Sequence, residues 1–119
     1  MKLFNSRVII LILSAAFTHS VFAFNTSFMQ YTPAYYFNET DWKMVNGNTQ
    51  KALSGARDGT KVVWKNPKSG AWGYVIPSNT VSKNGTTCRT LKIFNSARNI
   101  TNESTFEFCK IKGEWEIAS

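Results

Sequence analysis

The chain has 119 residues, with 14 Lys and Arg against 7 Asp and Glu, a net charge of +7. Such a length accommodates one ordinary domain and a thin hydrophobic core. The single histidine, His19, lies in an N-terminal segment predicted to be removed. What remains has no imidazole, which excludes Ser–His and Cys–His nucleophiles and zinc sites of the mixed Cys/His kind.

That N-terminal segment opens with Lys2 and Arg7 and no acid, continues through an apolar run over 8–17, and ends in Val21-Phe22-Ala23. Positive charge, a short apolar core and small residues before a cut describe a secretory signal, so residues 1–23 are predicted to be cleaved after Ala23. A bilayer-spanning helix takes about 20 apolar residues, and this run is half that. No cysteine follows the apolar core to carry an acyl chain, so no lipid anchor of that type is expected. The mature chain is then 24–119, one domain with no transmembrane segment and a charge of +5 once Lys2 and Arg7 are gone.

A positive charge suits anionic partners such as lipid headgroups and cell-wall polymers. Here the lysines and arginines are spread along the chain without a nucleic-acid-binding motif, so no nucleic acid is expected as a partner.

Residues 24–40 are rich in aromatics (Phe24, Phe28, Tyr31, Tyr35, Tyr36, Phe37) around Pro33 and read as an irregular or edge-strand arm. A helical pattern follows, with Trp42, Val45, Ala52, Leu53 and Ala56 on one face and a cap from Asn38 with Asp41, or from Thr40. Asn46-Gly47-Asn48 is a turn signal within it. Two short helices, 40–45 and 49–57, and one longer helix both fit, with Asp58-Gly59 as the stop.

From residue 60 the period becomes two. Strands are predicted at 61–65, 71–76, 86–94, 104–111 and 114–118, with turns at Asn66-Pro67-Lys68-Ser69-Gly70, Pro77-Ser78-Asn79 and Lys83-Asn84-Gly85. The fold class is therefore α+β: a short helical segment, then an antiparallel meander of about five strands. Setting Cys88 opposite Cys109 puts Leu91, Ile93, Phe106 and Phe108 on one side and Thr90, Lys92, Thr105 and Glu107 on the other, with the turn near Arg98-Asn99. That register satisfies both the alternation and the sulfurs, so one disulfide, Cys88–Cys109, is expected. A redox pair would favour Cys-x-x-Cys at a helix start instead.

The sequence offers no catalytic constellation. Glu114 and Glu116 share a strand face near Glu103 and Glu107, which reads as a wet face, and there is no phosphate-binding glycine loop. No enzyme activity, cofactor or metal is expected. The candidate partner surface is Trp64, Lys65, Lys68 and Trp72, around the Asn66 to Gly70 turn. A 96-residue domain needs most of its rings in the core, but one tryptophan left exposed beside Lys65 or Lys68 would pair an aromatic plate with a cation.

An ordered set of pieces runs from Ala52-Leu53 through Trp64-Lys65-Asn66-Pro67-Lys68-Ser69-Gly70 and Gly73-Tyr74-Val75-Ile76-Pro77. It continues with Cys88-Arg89 and Cys109-Lys110 and closes on Gly113-Glu114-Trp115-Glu116-Ile117. In this set the chain resembles the C-terminal domain of the bacterial 17 kDa surface antigen and related outer-membrane surface proteins. The resemblance implies an exported envelope protein of unassigned activity. It departs from that family in three ways: no lipoprotein cysteine or glycine-rich segment precedes the domain, Lys110 stands where arginine is usual, and the 95–102 hairpin has no glycine. The expected location is the periplasm or the exterior, with at most peripheral association with the outer membrane. The expected role is binding or supporting an envelope protein or an anionic cell-wall or lipid component; the alternative is a small secreted effector or inhibitor of a foreign protein.

Overall fold

A computed structural model describes residues 30–119. The predicted signal, its cleavage point, and Phe24 and Phe28 of the aromatic arm lie outside them. The described part of the arm is neither irregular throughout nor a strand: Pro33–Tyr36 forms a 3-10 turn that packs mainly against the third strand. Proline at its first position supplies a fixed φ where no N–H is needed.

One helix, α1 (Glu39–Gly55), follows. It starts on a capping box. Asp41 N donates to Asn38 Oδ1 at 2.8 Å and Asn38 N donates to Asp41 Oδ2 at 2.9 Å, satisfying two donors that a helix N-terminus leaves free. The Asn46-Gly47-Asn48 signal does not split it. A glycine inside a helix costs only about 1 kcal/mol, and Asn48 is buried, donating from Nδ2 to the Val62 carbonyl at 2.8 Å.

Five antiparallel strands then form one curled sheet in chain order: β1 (Val62–Lys65), β2 (Trp72–Lys83), β3 (Thr86–Ala97), β4 (Ile100–Ile111) and β5 (Glu114–Ile117). The last three hairpins each turn on two residues with positive φ: Asn84-Gly85, Arg98-Asn99 and Lys112-Gly113. That geometry matches the right-handed twist of the flanking strands. In the β3–β4 turn, arginine and asparagine take the left-handed conformation themselves at φ 54° and 63°, so no glycine is needed. The Arg98 guanidinium lies 5.2 Å from the Tyr36 ring centroid, tying this tip to the 3-10 turn.

The strand predicted to close at Pro77 runs on to Lys83. Val62 opposite Val75 is the last β1–β2 pair, so Pro77 lies beyond the end of β1. Its carbonyl accepts from Gly59 N at 2.7 Å, on the side away from β3, so the missing N–H costs no ladder bond. The register slips between Ser78 and Val81, a bulge that sets Asn79 (φ 51°) and Thr80 opposite Arg89.

Cys88 pairs with Cys109 across β3 and β4, and the disulfide joins them at a Cα–Cα distance of 4.0 Å. The same ladder sets Leu91 against Phe106 and Arg89 against Phe108, the register read from the alternation. The core lies between α1 and one sheet face, where Ala52, Leu53, Val62, Val75 and Leu91 pack with Ile93, Phe108 and Trp115 around them. A second cluster, Phe37, Trp64, Ala71 and Ala97, sits under the 3-10 turn. Each fully buried valine or leucine contributes about 1.5–3 kcal/mol, so the core is small and the ends of α1 need other fastenings.

Both ends have one. Asp41 is fully buried, and its Oδ1 accepts from Asn66 Nδ2 at 2.8 Å and Ser69 Oγ at 2.7 Å, locking the start of α1 to the β1–β2 turn. Burial pushes the Asp41 carboxyl up, but hydrogen bonds from Ser69, the Asn38 backbone and Asn66 outweigh it and hold the group below its ordinary value. At the other end, Arg89 reaches from β3. Its Nη1 donates to the carbonyls of Ala52 and Leu53, each at 2.8 Å, and its Nη2 donates to the Ala56 carbonyl at 2.6 Å. Three carbonyls left open by the helix end are thereby satisfied by a cation, the charge that a helix C-terminus favours.

Candidate functional site

The strand period divides the two tryptophans of the predicted surface. Val62 and Trp64 point from β1 into the core, and Trp64 is only 7% exposed, edge-on to Phe37 at 5.3 Å. Trp72 faces the other way, off the sheet face that α1 does not cover, and is 37% exposed. Trp64 and Trp72 are thus on opposite faces and do not form one surface. Lys65 does share a face with Trp72, directly opposite it in the β1–β2 ladder, while Lys68 sits exposed on the intervening turn.

Around Trp72 the outer face gathers more rings. Tyr74 stands two residues along β2, and the β2–β3 register sets Phe94 opposite it. Tyr74 and Phe94 stack with centroids 4.9 Å apart and planes 9° from parallel; Trp72 lies 5.1 Å from Phe94. Lys61 Nζ rests 4.3 Å above the centre of the Tyr74 ring, a cation–π contact at the exposed edge strand. Val63, 55% exposed, flanks Tyr74 on the β1 side. The result is a plate of three rings on the uncovered face, Trp72 exposed and Tyr74 and Phe94 half-buried, bordered by Lys61 and Lys65. Tyr74 joins Trp72 by alternation along β2, Phe94 joins through the β2–β3 register, and Lys61 joins through its contact with the Tyr74 ring.

The outer face is electrically uneven. The plate end carries Lys61, Lys65 and Lys92, and the β4–β5 end carries Glu103, Glu107, Glu114 and Glu116. Two of these acids are already paired: Glu107 Oε2 lies 2.8 Å from Lys83 Nζ, and Glu103 Oε2 lies 3.9 Å from Lys92 Nζ. Lys92, opposite Thr105, therefore pairs with Glu103, one of its two diagonal neighbours on β4.

A second polar constellation lies at the end of α1 on the opposite face. Arg89 Nε donates to Thr80 Oγ1 at 2.8 Å, Arg89 Nη2 meets Asp58 Oδ1 at 2.9 Å, and Thr80 donates to Asp58 through its backbone N and its hydroxyl. Hydrogen bonds from Thr80 and from Arg89 lower the Asp58 carboxyl to about 2. A shallow cavity of about 500 Å³ opens over this cluster, bordered by Arg57, Lys110 and Trp115. The five N–H donors of Arg89 all have acceptors within the protein, so its guanidinium fastens the end of the helix.

Among the described residues, no helix is long and apolar enough to cross a membrane. Residues 51–116 match the family of the 17 kDa outer membrane surface antigen, from the last turn of α1 to β5. A 17 kDa surface antigen of Rickettsia australis is 40% identical over 53 residues, 44% of this chain and 34% of that protein. Another, from Rickettsia canadensis, is 41% identical over 49 residues, 41% of this chain and 60% of that one. The match to the first of these thus spans about a third of its length. No solved structure matches the chain. The matched segment covers more than half of the sequence and includes the disulfide, Arg89 and the whole plate, and the chain belongs to the 17 kDa outer membrane surface antigen family of the bacterial envelope.

Proposed function

We propose that this chain is a non-enzymatic, exported envelope protein that holds an acidic envelope component against the outer face of its sheet. The observation that carries the reading is the plate itself: Trp72, Tyr74 and Phe94 in mutual contact, left open by α1, with Lys61 on the Tyr74 ring and Lys65 opposite Trp72. Small domains bury their aromatics when they can, and three contiguous rings on an uncovered face beside cations suit a partner that offers both apolar surface and negative charge. The non-catalytic reading is supported by the acids of β4, since Glu103 and Glu107 face lysines on an open sheet face instead of sharing a cleft. Export with cleavage after Ala23 supplies the route to that location, and mass spectrometry of the processed protein should find Phe24 at its N-terminus.

The test is crosslinking in intact cells followed by fractionation, comparing the parent with Trp72→Ala and Lys65→Ala. The parent should sediment with the envelope and crosslink to one component, and both variants should fold normally and lose most of that crosslink. Undiminished crosslinking in the two variants would remove the plate as the docking surface. Recovery of the parent only in the culture medium would remove the envelope role.

A further inference from the structure

The two edges of the sheet are finished differently. On the β1 edge the strand is only four residues long and carries Lys65, with Lys61 just before it; shortness and lysine are both devices that blunt an edge. The β4 edge is covered only along its second half. There Glu107 N donates to Ser119 O at 2.8 Å and Ala118 N donates to Glu107 O at 2.7 Å, continuing the β4–β5 ladder of Phe108 to Ile111. The β3–β4 register has no slip from Ala97–Ile100 to Cys88–Cys109. An antiparallel strand sends its N–H and C=O groups to alternate sides with a period of two residues. Thr101, Glu103 and Thr105 therefore direct theirs to the same side as Glu107, where no described backbone group meets them.

We infer that this open half of β4 is a strand-addition site for an extended polypeptide segment carrying a lysine or arginine opposite Glu103. Only another β backbone repeats a donor and an acceptor at that spacing, so a glycan or a lipid does not satisfy the edge. A second copy of this chain fits poorly. Antiparallel self-pairing that engages all three residues sets Glu103 directly against Glu103, and like charges in that position are destabilising. Glu103 is half exposed and holds Lys92 only at 3.9 Å, which leaves its carboxylate available to a cation on the added strand. On the other side of the strand, Phe106 is 36% exposed and offers an apolar neighbour.

The experiment uses the full oxidised chain and the probe peptide acetyl-Thr-Val-Thr-Lys-Thr-Val-Thr-amide, with amide hydrogen exchange read at Thr101, Glu103 and Thr105. In the free protein these amides should exchange fast, and peptide at ten times its dissociation constant should slow them about tenfold. Glu103→Pro removes an outward N–H, a substitution an edge tolerates; the variant should keep the parent's urea midpoint and lose the protection. Glu103→Lys should weaken the lysine peptide about threefold and favour its glutamate counterpart. Amides already protected in the free chain would overturn the proposal, because the edge would be occupied by the chain itself or by a second copy. Equal protection by the lysine and glutamate peptides, no protection at millimolar peptide, or protection that survives Glu103→Pro would each overturn it too.

Discussion

Arg89 Nη2 lies 2.9 Å from Asp58 Oδ1, so the residue next to Cys88 in β3 closes the C-terminal end of α1. The guanidinium is nearly buried and spans helix carbonyls, an aspartate and the bulged Thr80, which makes it the only described side chain bonded to α1, the connecting loop and β2 together.

Replacing Arg89 by methionine leaves the Ala52, Leu53 and Ala56 carbonyls, the Thr80 hydroxyl oxygen and the Asp58 carboxylate without the guanidinium. The expected cost is about 3 kcal/mol, in the range for breaking a buried charge network. Arg89→Lys keeps the charge but lacks the five-donor fork, so it should recover less than half of the loss. Urea midpoints at constant m-value measure both.

Asp58 and Asp41 give the fold a definite acid response. Both carboxyls titrate lower in the folded chain than their ordinary value of 3.8, Asp58 at about 2. A lowered folded value means that the unfolded chain binds protons first as the solution is acidified. The stabilisation is complete above the ordinary carboxylate range and is lost as pH falls from near 3.8 through about 2. Urea midpoints from pH 5 to pH 2 should fall in the parent and fall less steeply in Asp58→Asn. Parallel curves would show that Asp58 does not contribute to the pH dependence.

Much of the sheet was legible because its signals are local. The Cys88–Cys109 register followed from alternation on two strands, and Asn84-Gly85 announces its own turn. The extension of β2 through Pro77 was hidden, because proline's placement depends on where the neighbouring strand ends. The unbroken α1 was likewise hidden, since Asn48 belongs in the helix only once Val62 presents a carbonyl to it. Arg89 was visible as part of a recurring Cys-Arg pair, but its role depends on α1 ending within reach. In the plate, Trp72 and Lys65 are named by the sequence, yet which tryptophan faces water is decided by strand parity, and Trp64 falls on the other side.

Reduction of the disulfide should be felt throughout the domain. The bridge closes a segment of 21 residues between β3 and β4, and its contribution is about 3 kcal/mol in a chain-entropy estimate. Adding dithiothreitol, or replacing both cysteines by alanine, should lower the thermal midpoint. The hairpin itself should survive, because its turn and ladder do not depend on the sulfurs.

Gly73 marks a close approach within the sheet. A Cβ there would stand 2.7 Å from Trp64 Nε1 and would also run into the Phe94 carbonyl, which is backbone and cannot swing aside. Gly73→Ala should therefore destabilise the domain by about 1–3 kcal/mol, the usual range for overpacking. Near-ultraviolet circular dichroism should report the displaced Trp64 ring. A variant as stable as the parent would mean that β2 and β3 separate without penalty.

The two tryptophans beside the Asn66 to Gly70 turn should respond oppositely to truncation. Trp64 is 7% exposed and fills the space between Phe37, Ala71 and Ala97, so Trp64→Ala removes a large buried ring and should cost about 3–5 kcal/mol. In a 17 kDa antigen-family domain with so small a core, that loss should broaden or abolish cooperative unfolding. Trp72 lies tilted against Phe94, centroids 5.1 Å apart, and is itself 37% exposed. Trp72→Ala should cost about 1 kcal/mol or less, as expected for an aromatic contact on an exposed face, while removing a third of the plate. Equilibrium unfolding of the two variants separates burial from exposure, and crosslinking of Trp72→Ala in cells then measures what the exposed ring is for. If Trp72→Ala unfolds as readily as Trp64→Ala, the outer rings are a second core and the plate cannot serve as a docking surface.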